Sequence, residues 1–389
     1  MIVRFEPWGA WVKLETEPAL LALDRDGVRA LGLDGGARWK DDANANASAP
    51  IEVHVAVTSR CAAGCEGCYL DARPDGEEPP RDALLATLDA LRDAGVFTVA
   101  FGGGEPTLRD DLGLLAAEAR ARGITPVVTT SGLGLGPRKI DQLRAFAQVN
   151  VSYDGPDEAY ARVRGFDGAA DAEEAIARLA REGIAVGVNV VLTRATFDRV
   201  RDTVRRARAL GAREVQLLRY KPAGRARSAD YLARRLSPSQ GRALPDLLRD
   251  LAREHDGALH IRIDCALVPF FSADPELAAA PERLARWGVL GCEAGSALAS
   301  TRVDGRVAGC SFASPTDLAA TDLARGWADA AGLAPFRDYA AGPPEPCASC
   351  TLRSICRGGC KVVAEHVDGA FGPDPECPRV REHRARKRS

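Results

Sequence analysis

The sequence predicts an α/β protein: parallel strands alternating with helical crossovers, then a cysteine-rich carboxyl-terminal region. Three observations carry this prediction. Short β-branched runs alternate with amphipathic stretches from Ile51 to Leu218. Cys61, Cys65 and Cys68 crowd into the loop after the first such run, and seven of the eleven cysteines fall beyond residue 290 in a spaced order. At 389 residues and 46% hydrophobic, the chain can bury one large core or two joined ones.

Taken in order, residues 1–48 form a small extension. It has strand-like runs around Trp8–Leu14 and Leu20–Leu23 and a helical turn toward Leu33, and it is too short to stand alone. The polar stretch Asp41–Pro50 reads as a linker. Residues 49–235 hold the alternating core. Its strands are expected at Ile51–Val57, Val96–Phe101, Ile124–Thr129, Val149–Tyr153, Ile184–Leu192 and Glu214–Leu218. Helices are expected at Asp82–Ala94, Leu112–Ala121, Asp171–Arg181 and Phe197–Leu210. Six βα repeats imply a parallel sheet with right-handed crossovers, and periodicity leaves a barrel and a flat doubly wound sheet both open. A connecting helical and strand segment spans 236–285, the cysteine-rich domain 286–380, and a basic tail 381–389 that reads as solvated.

Charge is nearly balanced, 52 basic against 54 acidic residues, so no general attraction to nucleic acid or anionic lipid is expected. The amino terminus lacks a basic segment leading into an apolar run, and no apolar stretch is long enough for a bilayer. A soluble cytoplasmic protein is therefore expected. There the cysteines stay reduced and bind metal more readily than they form disulfides.

The loop spacing Cys61-x3-Cys65-x2-Cys68 can bring three thiolates to three irons of a cubane cluster and leave the fourth iron open. One βα unit later comes Phe101-Gly-Gly-Gly-Glu-Pro-Thr-Leu108. Together these motifs resemble the radical SAM superfamily. The resemblance implies a partial (βα)6 barrel with its chemistry at the carboxyl ends of the strands. It also implies a [4Fe-4S] cluster whose open iron binds S-adenosylmethionine. Carried over by position, the cofactor contacts are Gly103, Gly104, Glu105 and Pro106, then Ser131 in Thr130-Ser-Gly132, Ser152 and Asp154 in Val151-Ser-Tyr-Asp-Gly155, Arg164, and Asn189. Pro222-Ala-Gly-Arg-Ala226 after the sixth strand is a similarly familiar ending. Each polar residue taken singly fits a turn or cap equally well; their joint order favours the cofactor reading. One departure stands out. The residue before the third cysteine is usually aromatic in the family and here is Gly67, with Tyr69 next to the loop as an alternative partner for adenine or a barrel-packing residue.

The later cysteines run Cys292-x12-Gly305-x4-Cys310, then Cys347-x2-Cys350-x5-Cys356-x3-Cys360-x16-Cys377. This order resembles the SPASM domain, which implies two auxiliary iron–sulfur clusters of the [4Fe-4S] type. Cys347, Cys350, Cys356 and Cys377 would hold one. Cys292, Cys310 and Cys360 would hold the other, which lacks a fourth ligand in its usual place. Cys265, in Ile263-Asp-Cys-Ala-Leu267, is either that ligand or a buried small hydrophobe, and an iron open to substrate or water is the third possibility. Tetrahedral zinc is the alternative for the carboxyl-terminal pairs. The five histidines, His54, His255, His260, His366 and His383, show no close ligand spacing, and no acid–base residue stands out as catalytic.

The resemblance implies reductive cleavage of S-adenosylmethionine to a 5′-deoxyadenosyl radical and hydrogen abstraction from a peptide or small-molecule substrate. A ribosomally made peptide is favoured, with a flavodoxin or ferredoxin as electron donor. The first 48 residues would help recognise it by strand pairing, although they are short for a winged-helix module. A sulfatase-type reaction fits less well, because Ser311 follows Cys310 where those relatives carry an aspartate base. The alternatives are a tetrapyrrole-tailoring enzyme, with Arg219, Lys221 and Arg225 meeting macrocycle carboxylates, and a non-catalytic iron–sulfur electron carrier.

Overall fold

The structure, a computed structural model, describes residues 1–14, 19–39, 47–228 and 230–388. Residues 41–46 of the expected linker lie outside the described residues. The chain opens with a three-stranded antiparallel sheet in sequential order, β1 (Ile2–Glu6), β2 (Gly9–Lys13) and β3 (Leu20–Asp24), followed by helix α1 (Arg25–Ala30). Asp24 caps α1 by accepting from the Gly27 amide at 2.8 Å. Ala10, Val12 and Val28 give this piece a small core of its own. It is tied to the rest through buried Arg4, whose guanidinium donates to the carbonyls of Ala49, Pro50 and Gly95 at 2.8–2.9 Å.

Beyond it, seven strands run parallel in chain order: β4 (Glu52–Thr58), β5 (Thr98–Gly103), β6 (Thr125–Thr130), β7 (Gln148–Ser152), β8 (Val186–Leu192), β9 (Glu214–Arg219) and β10 (His260–Ile263). The crossovers carry α2 (Arg81–Asp93), α3 (Leu112–Ala121), α4 (Pro137–Leu143), α5 (Glu158–Arg164), α6 (Ala169–Arg181), α7 (Val200–Ala209), α8 (Tyr231–Arg234) and α9 (Pro238–Glu254). Every expected strand and helix of the core is present within a few residues. The short helices α4 and α5, of seven residues each, have too few turns to show a clear apolar period. The sheet also extends further than its six repeats. Strand β10 pairs with β9, and β11 (Leu298–Thr301) pairs parallel with β4 at the opposite edge. From there β12 (Arg306–Ala308) and β13 (Pro315–Ala319) continue antiparallel, making ten strands in the order β10-β9-β8-β7-β6-β5-β4-β11-β12-β13.

The two faces of the sheet differ. Val53, Val55, Val57, Phe101, Val151 and Val188 point outward into one continuous core with Leu84, Leu88, Leu115, Ile176 and Val204 of the helices. Each such side chain contributes about 1.5–3 kcal/mol when fully buried. Because side chains alternate along a strand, the residues between them face inward. Many of these are polar, among them Glu52, His54, Gln148, Asn150, Asn189 and Gln216. A sheet with an apolar outer face, a polar concave face and two unjoined edges is a partial barrel, and its strand ends offer the mouth to a ligand.

At the carboxyl terminus a helix covers Pro378–Arg386 and Arg384 pairs with Asp368 at 2.6 Å, while residues 385–388 of the basic end are exposed. Proline at the first helical position favours that start. Among the described residues no helix is long and apolar enough to cross a membrane.

Candidate active site at the carboxyl ends of the strands

The loop carrying Cys61, Cys65 and Cys68 leaves the carboxyl end of β4 and is held from three sides. From β5, the Gly104 amide donates to Thr58 O at 2.7 Å and the Glu105 amide to Arg60 O at 2.8 Å. This crossing explains the glycines. A Cβ on Gly103, whose φ is +119°, would lie 2.1 Å from Thr58 O, and one on Gly104 2.2 Å from Arg60 O. Backbone therefore packs on backbone, which a side chain forbids. From α5, Arg164 O accepts from the Glu66 amide at 3.0 Å. From the segment after β9, Arg225 donates to Cys65 O at 2.9 Å and Ala72 O at 3.0 Å and pairs with Asp71 at 2.8 Å.

The loop thiols share one electrostatic environment. Burial pushes the Cys61 thiol up, and the charges of Glu105, Cys65 and Cys68 add to this. Partly buried thiols gathered in one loop can ionise together when a cation sits among them.

The structure brings the expected cofactor residues together at neighbouring strand ends, with different duties. Glu105 is fully engaged: it accepts from the Thr107 amide and hydroxyl, the Thr130 hydroxyl, and the Ser131 amide and hydroxyl at 2.6–3.1 Å. Its carboxylate, and the Ser131 hydroxyl with it, lock the end of β5 to the end of β6. Pro106 opens the short 3-10 turn that follows. Asp154 accepts from the Val191 amide at 2.7 Å and from Arg164 at 2.6 Å, so this buried pair welds β7, α5 and β8. Asn189 and Ser152 are register partners across β7 and β8. Asn189 Oδ1 is buried, with no hydrogen-bond partner among the described residues. An orphaned acceptor facing the lumen fits a ligand hydroxyl or ammonium donor.

Gly67 is explained by Tyr220, just beyond β9. A Cβ on Gly67 would sit 3.0 Å from the Tyr220 ring, so that ring fills the space an aromatic residue at 67 would need. Tyr220 in turn stacks on Tyr231. Tyr69 points elsewhere. It packs on Phe312 with ring centroids 4.8 Å apart, and burial beside Cys68 pushes its hydroxyl up to about 12. Tyr69 and Phe312 line a cavity of about 320 Å³ with Ala56, Thr58, Pro222 and Arg302. The cavity thus lies between the first cysteine loop and the loop that follows Cys310.

The superfamily profile described as "Radical SAM superfamily" matches residues 55–207. The chain carries a radical SAM domain over these residues. It is 28% identical over 356 residues to the PqqA peptide cyclase of Xanthomonas axonopodis pv. citri, covering 86% of this chain and 89% of that protein. The PqqA peptide cyclase of Ruegeria pomeroyi matches at the same identity and coverage. In fold, it superposes on Streptococcus suis SuiB bound to precursor peptide SuiA with a TM-score of 0.74 and 19% identity, covering 96% of this chain and 98% of SuiB. It superposes on anSMEcpe with bound AdoMet and Cp18Cys peptide at 0.66 and 19%, covering 87% and 97%.

A radical SAM protein needs a [4Fe-4S] cluster with S-adenosylmethionine, and the residues present fit that pair. Cys61, Cys65 and Cys68 would hold the cluster, and the unpaired Asn189 acceptor beside Ser152 fits the nucleotide. The carboxyl-terminal thiols also gather. Cys347, Cys350, Cys356 and Cys377 line one mostly apolar cavity, as four ligands of an auxiliary cluster must. Among the described residues, no three His, Cys, Asp or Glu side chains converge on a point as a single chelated ion requires. A cubane spreads its thiolates over separate irons.

Three features escaped the sequence reading. Arg219, Lys221 and Arg225, weighed there as free cations for a macrocycle, are all consumed: Arg219 pairs with Asp374 and Glu376, Lys221 with Asp264, and Arg225 with Asp71. His54, taken as a default core or surface residue, bonds Ser311 Oγ through Nδ1 at 2.8 Å and Glu52 through Nε2 at 2.7 Å. Burial alone would push the Glu52 carboxyl up, but His54 holds it below the usual range. Ser311 is 257 residues from His54, so spacing carried no signal of this chain; the inward parity of Glu52 and His54 on one strand was the available clue. The third is Tyr220, placed against Gly67 from 153 residues away.

Proposed function

We propose that this radical SAM protein oxidatively modifies or crosslinks a ribosomally made peptide, receiving electrons from a flavodoxin or ferredoxin. The observation that carries this reading is the cavity bounded by Tyr69 on one side and Phe312 and Ala313 on the other, because it spans the space between two cysteine sites. When bound, the cluster and S-adenosylmethionine supply a carbon-centred oxidant that removes a hydrogen atom from substrate. The protein's part is placement. Arg225, Gly104 and Glu105 hold the cysteine loop, Asp154 and Arg164 hold the strand ends beside it, and Tyr69, Phe312 and Pro222 wall the cavity against water.

The relatives support a peptide substrate. They are named PqqA peptide cyclase, and two of the similar structures carry bound peptides. Strand β3 forms an edge of the amino-terminal sheet with Leu21 exposed, which suits a peptide added as a further strand. The tetrapyrrole reading loses its support because Arg219, Lys221 and Arg225 have internal partners. A non-catalytic carrier leaves the orphaned Asn189 acceptor unexplained.

The test is anaerobic incubation of reconstituted protein with reductant, S-adenosylmethionine and the short precursor peptides encoded beside its gene. Release of 5′-deoxyadenosine together with a mass change in one peptide is expected. Release of the nucleoside with every such peptide unaltered would sink the peptide reading.

A further inference from the structure

Eleven cysteines divide into three in the amino-terminal loop, four around the carboxyl-terminal cavity, and four others: Cys265, Cys292, Cys310 and Cys360. We propose that these last four together ligate the second auxiliary cluster, leaving none of its irons open to substrate. This rests on the radical SAM reading above and deepens it, since it assigns that cluster an outer-sphere role.

The tertiary structure joins segments that the sequence keeps far apart. Cys265 follows β10, and its neighbour Ala266 packs in one small core with Cys360, against which Cys310 and Phe312 also lie. A polar bridge links the same two segments: Arg219 donates to Ala266 O at 2.9 Å and to Asp374, and Asp374 accepts from the Cys360 amide at 3.0 Å. On the other flank, Lys221 pairs with Asp264 and lies 4.1 Å from the Phe312 ring centroid, which brings residue 264 beside the loop of Cys310. Cys292 joins through the Gly295 amide, which donates to Gly309 O at 3.3 Å.

The electrostatics agree with this packing. The Cys265 thiol feels the charges of Cys292 and Cys360, Cys292 that of Cys310, and Cys310 that of Cys360. A hydrophobe in the place of Cys265 would satisfy packing. It would not explain why four cysteine-bearing segments from distant parts of the chain meet at this one place. Full ligation also means that the peptide is held by the protein and not by iron.

The test uses the full chain, reconstituted anaerobically with ⁵⁷Fe, as wild type, Cys265→Ser and Cys265→Ala. S-adenosylmethionine is added to occupy the amino-terminal cluster, and the reduced protein is examined by EPR and Mössbauer spectroscopy with and without cyanide. Wild type should hold about twelve irons per chain, three cubanes, with no cyanide-sensitive auxiliary iron. Cys265→Ala should gain such an iron or lose about four irons, while Cys265→Ser, with an oxygen ligand, retains more iron than Cys265→Ala. A cyanide-sensitive auxiliary iron already in wild type, unchanged in Cys265→Ala, would overturn the proposal. So would better iron retention in Cys265→Ala than in Cys265→Ser, the order expected of a packing residue. Release of 5′-deoxyadenosine by wild type is scored separately, so failure of the radical reading is distinguishable from failure of this ligand assignment.

Discussion

Arg219 and Asp374 meet as a two-pronged fork across 155 residues, Nη1 to Oδ2 at 2.6 Å and Nη2 to Oδ1 at 3.0 Å, with both side chains buried. The pair joins the end of β9 to the segment preceding Cys377. Because Asp374 also accepts from the Cys360 amide, it sets that cysteine against the barrel. Such a pair holds geometry more than it adds net stability, and losing one member strands a buried charge. Arg219→Ala should destabilise the protein by about 3–5 kcal/mol and reduce its auxiliary iron. Denaturant unfolding and iron counting check this; unchanged values for both would refute it.

Asn189 Oδ1 gains nothing from the protein, so removing it should spare the fold and injure the nucleotide site. Asn189→Leu is expected to keep or slightly raise the melting temperature. It should weaken S-adenosylmethionine binding about tenfold, equivalent to about 1.4 kcal/mol. Equilibrium dialysis against the wild type measures the affinity. An equal affinity with a lowered melting temperature would show that Asn189 serves the core.

Gly67 and Tyr220 share one volume. Gly67→Phe should cost about 1–3 kcal/mol by overpacking, and adding Tyr220→Ala should recover most of it. A double-mutant cycle with unfolding as readout tests the coupling. Strict additivity would show that the two residues do not compete for that space.

Asp111 holds buried Arg109 by two hydrogen bonds of 2.8 and 3.0 Å, and Arg109 donates to Val57 O at the end of β4 and to Pro79 O. Burial by itself would raise the Asp111 carboxyl, but Arg109 and Arg81 hold it below the usual value. Its contribution is therefore complete above about pH 3.9, the unfolded value, and is lost as pH falls through the lower folded value. Asp111→Asn should cost about 3 kcal/mol at neutral pH, the low end of the range, because Glu78 remains 3.6 Å from Arg109. The difference from wild type should shrink as pH drops below about 4. Unfolding midpoints across that interval decide it; a gap that stays constant into strong acid would rule the account out.

The sequence by itself determined the parallel βα core, the three-cysteine loop, the Gly103-Gly104-Glu105-Pro106 motif one βα unit later, and the order of the carboxyl-terminal cysteines. All of these are local: a strand period, a helical period or a fixed spacing within a few tens of residues. Only the tertiary structure decided that β11 closes on β4, that Tyr220 occupies the space above Gly67, that three basic residues at the sixth strand end are spent on internal carboxylates, and that Cys265 lies within reach of the charges of Cys292 and Cys360. The physical reason is that charge and volume are satisfied by whatever the packed chain brings near. Spacing along the sequence records which residues are available and leaves their partners to the fold.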